Sequence, residues 1–430
     1  MKEHININEH GHLVFGGVDT VELTEKYGTP LYVMDENIIR DNIRKYKQTL
    51  EAEYGNNCMI CYASKAFSCK EIYRIVNDEG IGTDVVSAGE LLTAVSVDFP
   101  CEKIVFHGNN KSEEELLLAL NCDVGMVIVD NINELETLNY LAKKVNKKAN
   151  ISLRIKPGVE AHTHEFIRTG AIDSKFGFAL ETGEAFEAVK LTRTLENLVL
   201  KGFHCHIGSQ IFDVEPFELT SEIMLEFMLK VKNETGIYAN HLNLGGGFGI
   251  KYTDEDKNID YADYTKAVAA KIKEKCGELG LLIPFISIEP GRSITGQAGI
   301  TLYKIGVVKD IPGHRQYVLI DGGMTDNPRY IMYGAKYDMI TANKANAPLT
   351  TKITLAGKCC ESGDLIGENM PAPELESGDI IAVLATGAYN YSMASNYNRL
   401  QKPAVVMVKN GKSRTIINRE SLNELLKNDV

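Results

Sequence analysis

The sequence predicts an α/β plus all-β fold: a (β/α)8, TIM-like barrel followed by a C-terminal Greek-key β domain. Three observations predict it. Eight short apolar runs rich in β-branched residues recur from residue 58 onward, each followed by a helix-like segment. The first five start 22–25 residues apart, the length of one strand–helix unit. After about residue 290 the helical periodicity fades, and alternating runs punctuated by Gly and Pro replace it.

The eight runs occupy 58–66, 81–86, 103–107, 126–130, 151–156, 199–206, 242–245 and 286–289. Near-continuous apolar strands are buried on both faces, as in parallel sheets, and eight of them close most economically into a barrel. Between them apolar residues fall at three-to-four spacing, as in Glu113-Glu114-Glu115-Leu116-Leu117-Leu118 and over 132–144. An amphipathic helix over 34–50 opens the domain. The later, alternating runs cover 316–320, 351–355, 380–384 and 404–408, with a short closing helix over 420–427. Turns fall at Pro312-Gly313, Gly322-Gly323 and Pro371-Ala372-Pro373. The first thirty residues also read as strands and are expected to complete the β domain's sheet. The expected divisions are therefore 1–30, 31–290 for the cofactor-binding barrel, and 291–430.

A chain of 430 residues exceeds one ordinary domain. Its 44% hydrophobic and 24% charged residues are those of a soluble globular protein. A net charge of −12 without any Lys/Arg-rich run argues against nucleic acid and for a small-molecule partner. No run of eighteen apolar residues predicts a membrane span, and the polar start carries no apolar signal core. The nine cysteines are scattered and odd in number, which suits a reducing cytosol. A cytoplasmic location is expected.

Barrel enzymes place their chemistry at the carboxyl ends of the strands. Those ends here read Lys65, Asp84, His107, Arg154, His206, Gly245-Gly246-Gly247 and Glu289, a polar set that structural strand ends do not require. Alternation puts Cys61, Ala63 and Lys65 on one, inward face. A lysine desolvated in a barrel mouth has a lowered pKa and attacks carbonyls, although a strand-end lysine can also snorkel to water. Gly245-Gly246-Gly247-Phe248-Gly249 lets bare amides approach an anion, to which a following helix would add its positive end. It lacks both the dinucleotide-binding spacing and the Walker lysine, and a tight turn without a ligand is the alternative. In Glu289-Pro290-Gly291-Arg292 the carboxylate points inward, where it can keep a pyridine nitrogen protonated, or simply pair with Arg292. His204 and His206 share a strand face, but a metal site needs further ligands, and none is expected. His206 suits stacking on an aromatic cofactor, with Ser209 donating to a phosphate. Cys58 and Cys61 fall on opposite faces, against a zinc or redox pair. Cys359-Cys360-Glu361 sits on a turn where a thiol and a carboxylate can both face a ligand.

Together these segments resemble the fold-type III pyridoxal-phosphate enzymes, and within them the diaminopimelate decarboxylase family. The resemblance runs in register along nearly the whole chain. It covers Tyr62-Ala63-Ser64-Lys65-Ala66, Asp84-Val85-Val86-Ser87-Ala88-Gly89-Glu90, His206-Ile207-Gly208-Ser209-Gln210 and the glycine turn. It continues through Glu289-Pro290-Gly291-Arg292, Asp321-Gly322-Gly323-Met324, Cys360-Glu361-Ser362-Gly363-Asp364 and Gly387-Ala388-Tyr389. The departures are Phe67, Gly322 and Asn327-Pro328, where the family often has Asn, Ala and Leu-Ile.

The resemblance implies pyridoxal 5'-phosphate as cofactor, held by Lys65 as a Schiff base. It implies Glu289 at the pyridinium nitrogen and His206 stacked on the ring. Ser209, Gly245, Gly246, Gly247 and the amides around Gly291 and Arg292 would hold the phosphate, with Asp84, Glu90, Arg154 and Tyr389 completing the shell. Arg292, Arg329 and Tyr333 would meet the substrate's far carboxylate and Glu361 its far ammonium, Tyr389 would also contact the substrate, and Cys360 would supply the proton. A second amino-acid head group needs both a cationic and an anionic anchor, which agrees. The implied reaction is decarboxylation of meso-2,6-diaminopimelate to L-lysine, in a homodimer whose Cys-Glu loop serves the partner's site. The alternatives are a relative acting on ornithine, arginine, carboxynorspermidine or a D-amino acid, an alanine-racemase-like enzyme, or a non-catalytic cofactor-binding relative. Retention of Arg329, Tyr333 and Glu361 favours a distal amino-carboxylate, and Glu289 disfavours the racemase, which sets an Arg against the pyridine nitrogen.

Overall fold

The computed structural model describes residues 4–159 and 174–430. The chain divides into two compact units: Asn42–Gly249 with Ile259–Gly291, and Met1–Asp41 with Ile250–Asn258 and Arg292–Val430.

The first unit is the barrel. Its strands are β1 (Cys58–Ala63), β2 (Gly82–Val85), β3 (Ile104–Phe106), β4 (Met126–Val129), β5 (Ala149–Lys156), β6 (Leu198–Cys205), β7 (His241–Asn243) and β8 (Phe285–Ile288). Neighbours pair in parallel in chain order, and β8 closes onto β1 with Ile286 opposite Cys58. The two-residue strand Phe178–Ala179 adds to β5 outside this circuit. Inside, Cys61, Val105 and Ile128 interlock, with Met59 and Met126 packed against them. Each fully buried Val or Ile contributes about 1.5–3 kcal/mol, so the interior is a packed core and not a channel. The helix expected over 34–50 is Glu36–Tyr54.

β7 opens with a buried histidine whose chemistry gives a pH prediction. His241 Nε2 meets Ser287 Oγ at 2.7 Å, and burial pushes its pKa down to about 4 from an ordinary 6.5. The folded ring stays neutral while the unfolded chain takes up a proton first. Stability is therefore lost as pH falls from about 6.5 towards 4, and the loss saturates below. His241→Gln should remove up to about 3 kcal/mol of that acid-side loss. Urea unfolding of both proteins at pH 7 and pH 4.5 measures the difference.

The second unit is built on one mixed sheet. It contains β9 (Gly299–Ile311), β10 (Arg315–Ile320), β11 (Thr351–Ala356), β12 (Leu365–Ala372), β13 (Ile380–Val383), β14 (Ala404–Lys409) and β15 (Lys412–Ile417). The order runs β12-β11-β10-β9, then the strand Leu31–Asp35, then β14-β15, with β13 pairing β9. A register shift between Ile305 and Val307 bends β9, so its first half pairs with Leu31–Asp35 and β13, its second with β10.

Two details differ from expectation. Residues 5–19 do form strands, but Ile5–Ile7, Leu13–Phe15 and Val18–Asp19 make a sheet of their own and do not join the main one. The reason is local: Asp19 caps the helix Thr20–Tyr27 by accepting from the Val21 N–H at 2.8 Å, which ends the sheet there. Residues 31–35, expected to open the barrel, instead form a central strand of the main sheet, with all five residues buried. Leu31-Tyr32-Val33-Met34 offers no polar face to water, so it needs cover on both sides.

Candidate active site

At the carboxyl end of β1 the chain turns through Ser64–Ala66, which carries Lys65. Lys65 is exposed, so burial does not supply the desolvation that alternation suggested. Its surroundings are set by charge instead. Its ammonium lowers the pKa values of Asp84, Glu90 and His206, which places it among them. Asp84 is buried at the end of β2 and accepts from the Ser64 N–H at 2.9 Å. Glu90 lies in the first turn of the helix Ala88–Val95 and accepts from the Val86 N–H at 2.7 Å. Burial raises the pKa of Glu90.

Glu289, just past β8, receives three hydrogen bonds. His107 Nε2 reaches Oε1 at 2.8 Å, Asn243 Nδ2 reaches Oε1 at 2.7 Å, and His204 Nε2 reaches Oε2 at 3.1 Å. Burial alone would raise its pKa, but the two histidines hold it well below the ordinary range. Asp84 goes the other way: burial, then the Glu289 charge, push it well above. The two neighbouring carboxyls are thus pushed in opposite directions, a separation typical of sites that do acid–base chemistry.

The loops after β1, β6, β7 and β8 meet backbone to backbone. A Cβ on Gly246 would lie 2.1 Å from the Glu289 carbonyl oxygen, so only glycine allows that approach. Gly247 has φ +114°, and a Cβ there would lie 2.3 Å from the Gly208 oxygen. Gly246 N–H donates to His206 Nδ1 at 3.3 Å, which fixes the proton of that ring on Nε2. Burial pushes the His206 pKa well down, so the ring is flat and neutral. Ser209 follows in the same β6 loop, half-buried. The helix expected directly after the glycines is absent; the next is Tyr261–Leu279. On β5, Arg154 lies 3.9 Å from Asp130 and stacks 4.3 Å over Phe176. His204 is directed to Glu289 and not, with His206, to a common ion.

The second unit holds a cluster of its own. Arg329, in the short helix Arg329–Tyr333, donates to Tyr252 Oη at 3.0 Å and to Tyr337 Oη at 2.8 Å. Arg292 also bonds Tyr252 and stacks 4.7 Å over the Tyr389 ring. Burial would raise the Tyr252 pKa, but the two guanidiniums outweigh it and lower the phenol. Among the described residues Arg329 has no carboxylate within ion-pair distance. This buried positive pair suits an incoming carboxylate. Tyr333 is half-buried at the end of the same short helix. Cys360 and Glu361 are exposed on the turn after β11. Asp364 shapes that turn by accepting from the N–H groups of Met324 and Cys359 at 2.6 and 2.7 Å. Gly323 and Gly357 leave room for its carboxylate, since a Cβ on either would come within 2.5 Å of it.

Sequence reasoning assigned no role to His107, Asn243, Tyr252 or Tyr337. A polar Asn inside the apolar β7 run was the available signal for Asn243, because a buried amide needs partners. Nothing in the spacing marks the two tyrosines.

The barrel geometry agrees with comparisons to known proteins. The family model "Pyridoxal-dependent decarboxylase, pyridoxal binding domain" matches residues 37–296, which defines the class. The chain is 48% identical to the diaminopimelate decarboxylase of Bacillus methanolicus, over 97% of this chain and 96% of that one. It is 47% identical to that of Bacillus subtilis, over 98% and 96%. The solved diaminopimelate decarboxylase of M. jannaschii, in complex with L-lysine, superposes with a TM-score of 0.92 at 35% identity, covering 100% of this chain and 98% of that one. The chain belongs to the diaminopimelate decarboxylase family of pyridoxal-dependent decarboxylases, and it is a carboxy-lyase that uses pyridoxal 5'-phosphate.

The barrel mouth fits that cofactor. A fixed carboxylate matches a protonated ring nitrogen, a neutral imidazole matches a flat ring, and side-chain-free amides match a phosphate. Among the described residues no helix is long and apolar enough to cross a membrane.

Proposed function

We propose that this protein decarboxylates meso-2,6-diaminopimelate to L-lysine and carbon dioxide. The observation that carries the substrate is the buried pair Arg292 and Arg329, bonded to phenols and ready for a distal carboxylate. A diamine precursor such as ornithine has no such group to place there.

Lys65 anchors the cofactor. Ser209, Gly245, Gly246, Gly247 and the amides of Gly291 and Arg292 would hold its phosphate, and Glu289 would serve its ring nitrogen. His206 would pack on its ring, and Asp84, Glu90, Arg154 and Tyr389 would complete the shell. When bound, pyridoxal phosphate supplies an electron-accepting ring that takes up the bonding pair left as carbon dioxide departs. Glu289, fixed as an anion, favours the protonated ring. Arg292, Arg329 and Tyr333 orient the substrate through its far carboxylate, Tyr389 adds a substrate contact, and Glu361 holds its far ammonium. Cys360 Sγ–H delivers a proton to the α-carbon. The protein works as a cytoplasmic homodimer in which the Cys360–Glu361 turn serves the partner's site. The family resemblance and the exposure of Cys360, Glu361, Ile331 and Met332 support that reading.

The test is direct. Purified protein with pyridoxal phosphate and meso-diaminopimelate should release carbon dioxide and lysine in equal amounts. No lysine, with putrescine formed from ornithine, would overturn the substrate assignment.

A further inference from the structure

The Glu289 carboxylate is held by side chains that the reaction does not itself require. Donors arrive from three separate elements: His107 after β3, His204 in β6 and Asn243 in β7. Both oxygens are engaged, so the carboxylate can neither rotate nor turn away. A carboxylate only accepts, so each Nε2 is the donating nitrogen and each neutral ring carries its proton there. For His204 a second observation agrees. It is 1% exposed and its Nδ1 has no hydrogen-bond partner, so a doubly protonated ring would bury an N–H without an acceptor. The rings of His107 and His204 meet edge to face at 4.8 Å, which locks their orientation. Neutral donors hold the anion in place without cancelling its charge. An imidazolium would pair with it and leave less negative potential for any other cation. The remaining groups that face Glu289 are Cys61 from β1, Asp84 from β2, Arg154 from β5, Cys205 from β6, His206 after β6 and His241 from β7.

We propose that His204, with His107 and Asn243, is a positioning residue that fixes Glu289 as an oriented anion and thereby sets how firmly the cofactor's ring nitrogen keeps its proton. This rests on the reading above that Glu289 faces that nitrogen.

The test compares wild type, His204→Leu, His204→Gln, Glu289→Gln and the double variant His204→Leu/Glu289→Gln. Two readouts other than activity are taken: pyridoxal-phosphate affinity by fluorescence titration, and the pH midpoint of the bound cofactor's visible absorbance. His204→Leu should weaken affinity about 10-fold and shift the midpoint by on the order of one pH unit. His204→Gln, which keeps an amide donor, should recover most of both. In the Glu289→Gln background His204→Leu should add nothing, because it acts through the carboxylate. Wild-type affinity and midpoint in His204→Leu would overturn the proposal, as would a full additional loss in the double variant. If Glu289→Gln itself leaves the midpoint unchanged, the placement of Glu289 fails instead, which separates the two ideas. His107, His204 and Glu289 also bring ligand atoms within 4.8 Å of one another. Stoichiometric zinc in the wild type that is lost in His204→Leu would replace the proposal with a metal centre. Should His204→Leu not fold, His107→Leu, with His107→Gln as the donor-keeping control, carries the same comparison.

Discussion

Lys65→Ala should abolish the visible absorbance of the bound cofactor and lower kcat by on the order of 10⁴-fold. The expectation rests on the chemistry of two lysines near the barrel mouth. Lys111, in the loop after β3, is buried, and its ammonium bonds the Gly108 and Ile128 carbonyls and Glu134 at 2.7, 2.8 and 2.6 Å. Three hydrogen bonds thereby tie this group in place and present no lone pair to a carbonyl carbon. Lys65 stands exposed on its turn, free to reach a carbonyl carbon. A Lys65→Ala protein with unchanged absorbance would mean that another amine holds the cofactor.

The second large effect is expected at Arg329. Arg329→Met removes a buried cation whose partners are Tyr252 and Tyr337. Two charge-assisted hydrogen bonds are worth about 3 kcal/mol together, so kcat/KM for meso-diaminopimelate should fall about 100-fold. Most of the loss should appear in KM, because the far carboxylate is bound alike before and during the reaction. L-lysine, the product, keeps that carboxylate, so its affinity as a competitive inhibitor should fall alongside. Unchanged inhibition by L-lysine in Arg329→Met would show that Arg329 does not bind the far carboxylate.

Much of this was legible before any coordinates. The barrel could be read because each β-branched run is buried on two faces, a pattern that survives without knowledge of neighbours. Lys65, Asp84, His206, Gly246 and Glu289 stood out as polar or bare residues where strands end. The β domain was less readable. Half of β9 lies in 299–305, where Gly, Thr and Tyr interrupt the alternation and burial is nearly continuous. The strand Leu31–Asp35 pairs with residues about 270 and 370 positions away, and no local signal encodes such partners. Within the site, the role of the donors around Glu289 was not readable, because it depends on contacts across the barrel between β3, β6, β7 and β8. Desolvation of Lys65 was inferred from alternation, but the strand ends at Ala63, and the turn that follows obeys no period of two.

The place of Leu31–Asp35 makes the two units inseparable as gene segments. A fragment beginning at Arg292 would carry every later strand yet lack the one lying between β9 and β14. Its sheet would fall into two halves, each presenting a row of unpaired N–H and C=O groups ready to stitch onto other chains. The N-terminal residues therefore act as a keel: synthesised first, they wait for partners made last, and cutting the chain at its apparent domain joint yields a sticky remnant in place of a domain.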